Sequence, residues 1–456
     1  MKARLEKNIL VISDLHLGEG IRQNTSSVSY LRRLLTLEKE LCAFLRHYTT
    51  RRVGDRPWRL VVNGDMVDFM SIQIMPSARE ASSAEERQYG LGYGEEQSVA
   101  KLGCVIERHR TVFQALGEFV GAGNELVVVV GNHDVEFHYP GVQARLVEAL
   151  VELGAAAGRI RFCPWFYYEE EVVYVEHGHQ YDEYCSFDYQ LHPVAGAPGG
   201  MALSLAHAGM RYFTNLVPEL DHHRVEEFGF VDYIKWGWAQ GARGVVRVAL
   251  FYATLVRKLI ELSALLTDRT SAAVRADLHR RRLRELAESY RLAVEKLEAL
   301  DGLRPLPALR SLFRVFVTLF IDRMLLGVVA LLALVLVLAL APGWWKLSGS
   351  ALLLGASLVT NALLARTRIL DSAQLLRRAP EAIWRIVRAP FIVFGHSHFA
   401  ETVPLSSGAT YINTGSWAET GPERRAFTHL IISGAGPDGE PRAQLYQWRD
   451  GDSSPL

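Results

Sequence analysis

Short apolar runs alternate with stretches of helical spacing in the first third of the chain. The runs at 8–13, 58–65 and 124–134 each stop at Gly, Asn or Asp, as buried strands of an α/β sheet often do. Between them, residues 29–48 and 97–120 carry apolar side chains at helical spacing. The pattern therefore predicts an α/β fold. Further strands are predicted at 159–163, 171–178, 389–398, 409–416 and 426–433.

The hydrophobic pattern changes in the middle of the chain. Residues 324–345 carry no charge, and as a helix they would span about 33 Å, close to the roughly 30 Å of a bilayer core. A second uncharged stretch follows at 347–365, after a break in which Pro and Gly favour a turn and two Trp suit a membrane interface. We expect a transmembrane hairpin, and the alternative is a pair of buried core helices.

Basic residues flank this predicted hairpin on both outer sides, whereas the loop within it holds only Lys346. The positive-inside rule then places both outer ends in the cytoplasm. The first residues lack the long apolar core of a signal peptide, which agrees with that orientation. We therefore expect a multi-pass protein of the inner or cytoplasmic membrane, with its main body facing the cytoplasm. The flanking arginines are Arg310, Arg314, Arg323, Arg366, Arg368, Arg377 and Arg378.

The formal net charge of zero conceals an uneven distribution. Residues 241–388 hold 23 Lys and Arg against 11 Asp and Glu, so the remainder is acidic by the same margin. An acidic body disfavours a nucleic-acid partner. Within the insert, residues 241–262 combine a basic and an apolar face and are expected along the membrane surface. Residues 272–300 predict a long, charged, solvated helix, through which the protein could oligomerise.

Residues of metal-ligating type follow five of the predicted strands. Carboxylates, imidazoles and an Asn carbonyl suit Mn²⁺, Fe or Zn²⁺, and their number fits two ions that share one carboxylate. Open α/β sheets place their sites at the carboxyl ends of strands, so we expect these groups to converge. In chain order they are Asp14 and His16, then Asp65 with Asp68, then Asn132, His133 and Asp134, then His177, and finally His396 and His398.

The order DxH, GD, GNH, H and GHxH resembles the calcineurin-like metallophosphoesterase superfamily, over roughly residues 8–185 and 389–433. The resemblance implies a double β-sandwich flanked by helices, and a hydrolase with two divalent ions, expected to be Mn²⁺ with Fe or Zn²⁺ as alternatives. It divides the chain into a core of 1–185 and 389–456, interrupted by a helical cap and membrane insert at 186–388. The implied ligands are Asp14, His16, Asp65 and His398 for one ion, and Asp65, Asn132, His177 and His396 for the other.

The resemblance also implies roles beside the ligands. His133 would face the substrate as a catalytic group, stabilising the transition state or protonating the leaving oxygen. Asp134, the second predicted catalytic residue, would orient His133 by a hydrogen bond. Asp68 and His179 are weaker candidates, which could support the ligands or only the fold. The spacing of the last two histidines predicts strand-like geometry, with both side chains pointing the same way.

The insert narrows the expected substrate. UDP-2,3-diacylglucosamine pyrophosphatases, to which the chain is distantly similar, carry a helical cap in the same interval, although His133 stands where they have Arg. Protein Ser/Thr phosphatases are disfavoured, because Phe69 and Asp134 depart from their pattern. We expect a membrane-associated phosphoester or pyrophosphate. Aromatic residues within 200–240 would contact acyl chains or belong to the core.

The sequence leaves two alternative functions open. One is a phosphodiesterase or phosphatase that acts on soluble nucleotides or other small phosphoesters. The other is a membrane scaffold with a degenerate phosphatase fold, which would have lost some of the metal ligands.

Overall fold

The structure is a computed structural model of the 456-residue chain. It describes residues 5–21, 28–77, 83–194, 200–217, 235, 237–239, 241–366, 371–418, 425–434 and 440–456.

The described chain is a mixed α/β structure with two sheets. Every strand predicted from the sequence is present, and four more are found late in the chain or in short hairpins. The strands are β1 (Asn8–Ile12), β2 (Trp58–Asn63), β3 (Glu125–Val129), β4 (Ile160–Cys163), β5 (Phe166–Glu169), β6 (Val173–Glu176), β7 (Phe391–Phe394), β8 (Glu401–Pro404), β9 (Thr410–Asn413), β10 (Thr428–Ser433), β11 (Arg442–Arg449) and β12 (Asp452–Pro455).

Helices connect the strands and make up most of the insert. The predicted helical stretch 97–120 is two helices that meet at His109. The α-helices are α1 (Val28–Thr50), α2 (Ala84–Tyr89), α3 (Glu95–Arg108), α4 (Arg110–Gly121), α5 (Pro140–Glu152), α6 (Leu205–Tyr212), α7 (Gly241–Thr267), α8 (Arg269–Tyr290), α9 (Val294–Asp301), α10 (Leu312–Thr318), α11 (Ile321–Leu340), α12 (Trp345–Arg366), α13 (Ser372–Leu376) and α14 (Pro380–Val387).

Chain segments from both sides of the insert build both sheets. The seven-stranded sheet has the order β12-β11-β10-β1-β2-β3-β4, and β1 to β4 within it are parallel neighbours. The five-stranded sheet has the order β5-β6-β7-β9-β8, with β6, β7 and β9 parallel. The strand pairs β1–β10 and β6–β7 therefore join residues that the insert separates by more than 200 positions in sequence.

The two sheets pack face to face because alternate strand residues point to opposite sides. On β1, Ile9 and Val11 enter a buried cluster shared with Val175 and Val393 of the other sheet. Leu10, between them, belongs to a separate cluster on the outer face. Residues buried on both faces explain why these strands are continuous apolar runs.

Helices cover the two outer faces of the sheet pair. Residues of α1, α3, α4 and α5 pack on the seven-stranded sheet, and residues of α8, α9 and α14 pack on the five-stranded one. The latter contact corrects the prediction of one solvated helix over 272–300. The chain breaks after Tyr290 at Arg291, whose φ is 54°, and α8 and α9 bury Leu283, Leu297 and Leu300 against the sheet.

Helices α11 and α12 are long and apolar enough to cross a membrane, and the apolar window of each has no buried residue. They lie side by side, and the rings of Trp344 and Trp345 stack at 4.1 Å where the chain turns. The first helix begins at Ile321, three residues before the predicted apolar stretch, so it includes Asp322 and Arg323. The exposure of both helices argues against the alternative of two buried core helices.

The aromatic residues within 200–240 have two predicted roles, contact with acyl chains or a place in the core. Tyr212 and Phe213 are buried with Leu255 and Leu259 of α7, and are therefore ordinary core residues. Trp238 is exposed. Phe228, Phe230, Tyr233 and Trp236 lie outside the residues whose side chains the structure describes.

Candidate metal centre

The predicted ligands all lie just beyond the carboxyl ends of parallel strands. Strands β1, β2 and β3 run side by side in one sheet, and the loops after them carry Asp14, Asp65 and Asn132. Strands β6 and β7 are neighbours in the other sheet and are followed by His177 and His396. Two packed sheets thus bring five loops to one edge.

Asp14, His16 and His398 form a first group of ligand atoms. His398 Nε2 lies 3.1 Å from Asp14 Oδ1 and 3.3 Å from His16 Nε2. His16 Nε2 is also 4.0 Å from Asp14 Oδ1. Asp14 and His16 are buried, while 12% of the His398 side chain is exposed.

Asp65, His177 and His396 form a second group. His177 Nε2 lies 3.0 Å from Asp65 Oδ2 and 3.1 Å from Asn132 Oδ1, which places the predicted amide ligand in the same cluster. The ring centroids of His177 and His396 are 5.4 Å apart. Each of these groups could hold a metal ion.

Asp65 lies between the two groups. Its Oδ2 atom is 3.0 Å from His177 Nε2 of the second group and 4.0 Å from His16 Nε2 of the first. Its Oδ1 atom accepts a hydrogen bond from the backbone N–H of His133 at 2.8 Å. A carboxylate held in this way has one oxygen directed at both groups.

The donor set around His177 fits a bound cation. Its Nδ1 lies 2.8 Å from the carbonyl oxygen of Asn63, which can only accept, so Nδ1 carries the proton. In the neutral ring, the Nε2 lone pair then faces oxygens of Asp65 and Asn132. Both oxygen acceptors lie at about 3 Å from Nε2, and their lone pairs repel that of Nε2 unless a positive charge lies among them. A metal ion would supply that charge.

Protonation supplies the same charge when no metal is bound. Burial lowers the pKa of His177, but the Asp65 carboxylate outweighs burial and the pKa rises to about 9. His16 behaves oppositely: burial and the neighbouring His133 lower its pKa to about 4. Without a metal ion, His177 therefore carries the positive charge at its position, and a bound metal ion would replace its proton. His16 is already neutral, the form in which an imidazole binds a metal.

Five of the predicted ligands adopt left-handed backbone conformations. Asp14, His16, Asp65, His396 and His398 have φ between 47° and 63°. Such conformations cost of order 1 kcal/mol each for non-glycine residues and are concentrated at functional sites. They also correct the strand-like geometry expected for the last two histidines. β7 ends at Phe394, and the two side chains diverge into different groups.

His133 is held by Asp68 and not by the predicted Asp134. His133 Nδ1 lies 2.7 Å from Asp68 Oδ1. Asp134 instead accepts backbone hydrogen bonds from Gly131 and Met66, both at 2.7 Å, and so ties the loop after β3 to the loop after β2. Burial, followed by repulsion from Asp65, raises the pKa of Asp134 to about 7.

Sequence reasoning missed two residues beside this centre. Asp182 Oδ2 lies 3.2 Å from His396 Nε2, and Cys185 completes a further group of ligand atoms with them. The sequence feature that points to Asp182 is its position five residues after His177, in the same loop. The weaker candidate His179 is buried, and its ring lies 5.5 Å from that of His177.

Comparison of the chain with models of known protein families found no match, and comparison with curated proteins found none either.

Proposed function

We propose that the protein is a membrane-anchored phosphoesterase that uses two divalent metal ions to hydrolyse a phosphoester or pyrophosphate. The observation that carries this proposal is the position of Asp65, one carboxylate between two groups of His and Asp ligands. Two adjacent metal sites sharing a carboxylate are suited to in-line displacement at phosphorus.

The architecture supports assignment to the calcineurin-like metallophosphoesterase superfamily. Two sheets packed face to face, with helices on both outer faces, agree with the double β-sandwich that the sequence motifs imply. The motif residues lie in the loops where such a fold would place its active site.

In this proposal, Asp14, His16 and His398 hold one ion, and His177, His396 and Asn132 hold the other, with Asp65 between them. We expect Mn²⁺, with Fe or Zn²⁺ as alternatives. Bound metal ions would acidify a water molecule and offset the negative charge of the phosphate oxygens.

His133 is the chain's own candidate for proton transfer. About 14% of its side chain is exposed, whereas Asp65 beside it is almost fully buried. Asp68 accepts the hydrogen bond from Nδ1, so a substrate would meet Nε2. In the doubly protonated ring, which the Asp68 carboxylate favours, Nε2 carries a proton that it can pass to the leaving oxygen, and the ring is left neutral with its remaining proton on Nδ1. Asp68 thereby fixes the ring's tautomer and orientation.

The hairpin of α11 and α12 would anchor this centre to the inner or cytoplasmic membrane with the catalytic core on the cytoplasmic side. An enzyme held at a bilayer meets amphiphilic substrates at high local concentration. A membrane-associated phosphoester or pyrophosphate is therefore the proposed substrate class.

The test combines metal content with turnover by detergent-purified, full-length protein. Hydrolysis of p-nitrophenyl phosphate, bis-p-nitrophenyl phosphate and UDP-diacylglucosamine is measured with Mn²⁺. The variant Asp65→Asn removes the carboxylate between the two groups. Asp277→Asn is the matched control, because Asp277 is half exposed on α8 and pairs only with Arg281 among the described residues.

We expect about two ions per chain and Mn²⁺-dependent turnover, both lost in Asp65→Asn and retained in Asp277→Asn. The preferred compound identifies the substrate branch, including small soluble phosphoesters. A protein that binds no metal would contradict the enzymatic proposal and favour a membrane scaffold.

A further inference from the structure

A basic cavity of about 400 Å³ lies where the two flanks of the apolar hairpin meet. Arg314, on α10, approaches it from the flank before the hairpin, and Arg378, between α13 and α14, from the flank after it. Arg304, in the loop after α9, contributes a third guanidinium. Leu303 and Leu375 line the apolar part of the wall.

The charges around the cavity leave a cationic surplus. Three arginines line it against one carboxylate, Glu183. Glu183 pairs with Arg314, and Arg304 makes two hydrogen bonds to Asp301. Arg378 is exposed and has no ion-pair partner within the part of the chain that the structure describes. The cavity thus offers an uncompensated guanidinium, a group that binds phosphate well.

The cavity lies close to the start of the first apolar helix. Arg314 precedes Ile321 by seven residues, so even a fully extended chain would keep them within about 25 Å, and the helical turns of α10 shorten that distance. Leu312 and Phe313, which directly precede Arg314 in sequence, are exposed, and Phe313 is 75% exposed. Apolar side chains next to a basic cavity at the end of a membrane span are suited to the headgroup layer of a bilayer.

We propose that this cavity binds the phosphate-bearing headgroup of an anionic membrane lipid. The inference rests on the membrane anchoring in the proposed function, but not on catalysis. Guanidinium groups would contact the phosphate, while Leu303 and Leu375 would contact the start of the lipid's apolar part.

The cavity is distinct from the metal centre, although it adjoins that centre. No residue of the metal groups found among the described residues lines it. Two of its wall residues, Tyr181 and Glu183, flank Asp182, whose carboxylate contacts His396. The lipid would therefore bind behind the loop that supports the metal centre and not among the ligands.

The experiment reconstitutes the full-length protein in nanodiscs of phosphatidylcholine with increasing phosphatidylglycerol. Native mass spectrometry then counts the phosphatidylglycerol molecules retained per chain. Arg378→Gln removes the uncompensated charge, and Arg385→Gln is the matched control, because Arg385 is an exposed arginine on α14 that does not line the cavity. Glu183→Gln removes the only carboxylate of the lining among the described residues.

We expect Arg378→Gln to weaken retention of phosphatidylglycerol about five-fold, Arg385→Gln to leave it unchanged, and Glu183→Gln to strengthen it. Equal losses in the two arginine variants would overturn the proposal in favour of diffuse surface charge.

In a second experiment, inorganic phosphate is titrated into detergent-purified protein. Arg378-dependent binding of phosphate without any preference for phosphatidylglycerol would assign the cavity to a soluble ligand and overturn the lipid assignment.

The same variants are also tested in membranes for resistance to carbonate extraction, and their metal content is measured. These two measurements separate a failure of the lipid proposal from a failure of the proposed function. A chain that is extracted fails the anchoring proposal, whereas an anchored chain without lipid selectivity fails only the lipid proposal.

Discussion

Two glycines of the site motifs have no room for a side chain, because other site residues occupy that space. A Cβ atom on Gly131 would lie 2.2 Å from Asp65 Oδ1, and one on Gly64 would lie 2.2 Å from His177 Nδ1. Gly64 also has φ of +79°, which disfavours other residues. The glycine in GD and in GNH therefore permits the backbone of one loop to approach the ligand of another.

Gly131→Ala should therefore displace Asp65 and weaken metal binding by at least about ten-fold. The measurement is bound metal per chain after dialysis against graded metal concentrations. Gly158→Ala is the control, since a Cβ atom there meets nothing within 4 Å. Unchanged metal content in Gly131→Ala would contradict the assignment of Asp65 as a ligand.

Asp68 and Asp134 are two buried carboxylates with different tasks. Asp68→Asn should lower kcat by about ten- to a hundred-fold, because it alters the hydrogen bond to His133. Metal content and Tm should stay close to those of the unchanged protein.

Asp134→Asn should lower Tm, because the amide can replace only one of two acceptors used by Gly131 and Met66. Steady-state kinetics and thermal melts in detergent measure both effects, and the reverse pattern would restore Asp134 as the partner of His133.

At the level of elements, the C-terminal strands complete the first sheet and bury a histidine. His429 on β10 lies 3.0 Å from Tyr48 Oη of α1 and 3.1 Å from Ser453 Oγ of β12, through Nε2 in both cases. It is fully buried, and burial lowers its pKa to about 3. The neutral ring therefore links helix and sheet edge.

This histidine should make the fold sensitive to acid. Its folded pKa lies below the ordinary value of 6.5, so its contribution to stability is complete above pH 6.5 and is lost as the pH falls towards 3. The slope is at most about 1.4 kcal/mol per pH unit. His429→Gln should have a lower Tm at pH 7.5 but lose less on acidification to pH 5. Parallel losses in both proteins would show that His429 does not carry this dependence.

At the scale of the whole molecule, exposed apolar surface is concentrated on α11 and α12. Leu332, Leu347 and Leu352 are 64%, 80% and 76% exposed. Soluble proteins rarely expose contiguous apolar patches of this kind, because the exposed area is unfavourable in water. A lipid environment removes that cost.

Leu332→Arg should reduce membrane integration, since an arginine near the centre of a span costs about 3 kcal/mol on insertion. The measurement is the fraction of protein that resists carbonate extraction from membranes. Leu306→Arg is the control, because Leu306 is 65% exposed but lies outside both apolar helices. Equal extraction of the two variants would argue that the hairpin does not cross the bilayer.

The sequence alone predicted those features that depend on neighbouring residues. Apolar runs that stop at Gly, Asn or Asp located the main strands, and with them the loops that carry Asp14, Asp65, Asn132, His177 and His396. The length of the uncharged stretches similarly predicted both apolar helices. These signals are local because strand alternation, helix length and side-chain type are properties of a short segment.

Tertiary structure decided which distant groups meet. Asp68 contacts His133 across 65 positions, and Asp182 contacts His396 across 214, so adjacency in sequence misassigned one partner and missed the other. The charged surface of α8 concealed a buried face, because only packing on the second sheet distinguishes it from a solvated helix. Periodicity records which residues can be buried, whereas the packing of two sheets and their loops determines what each residue contacts.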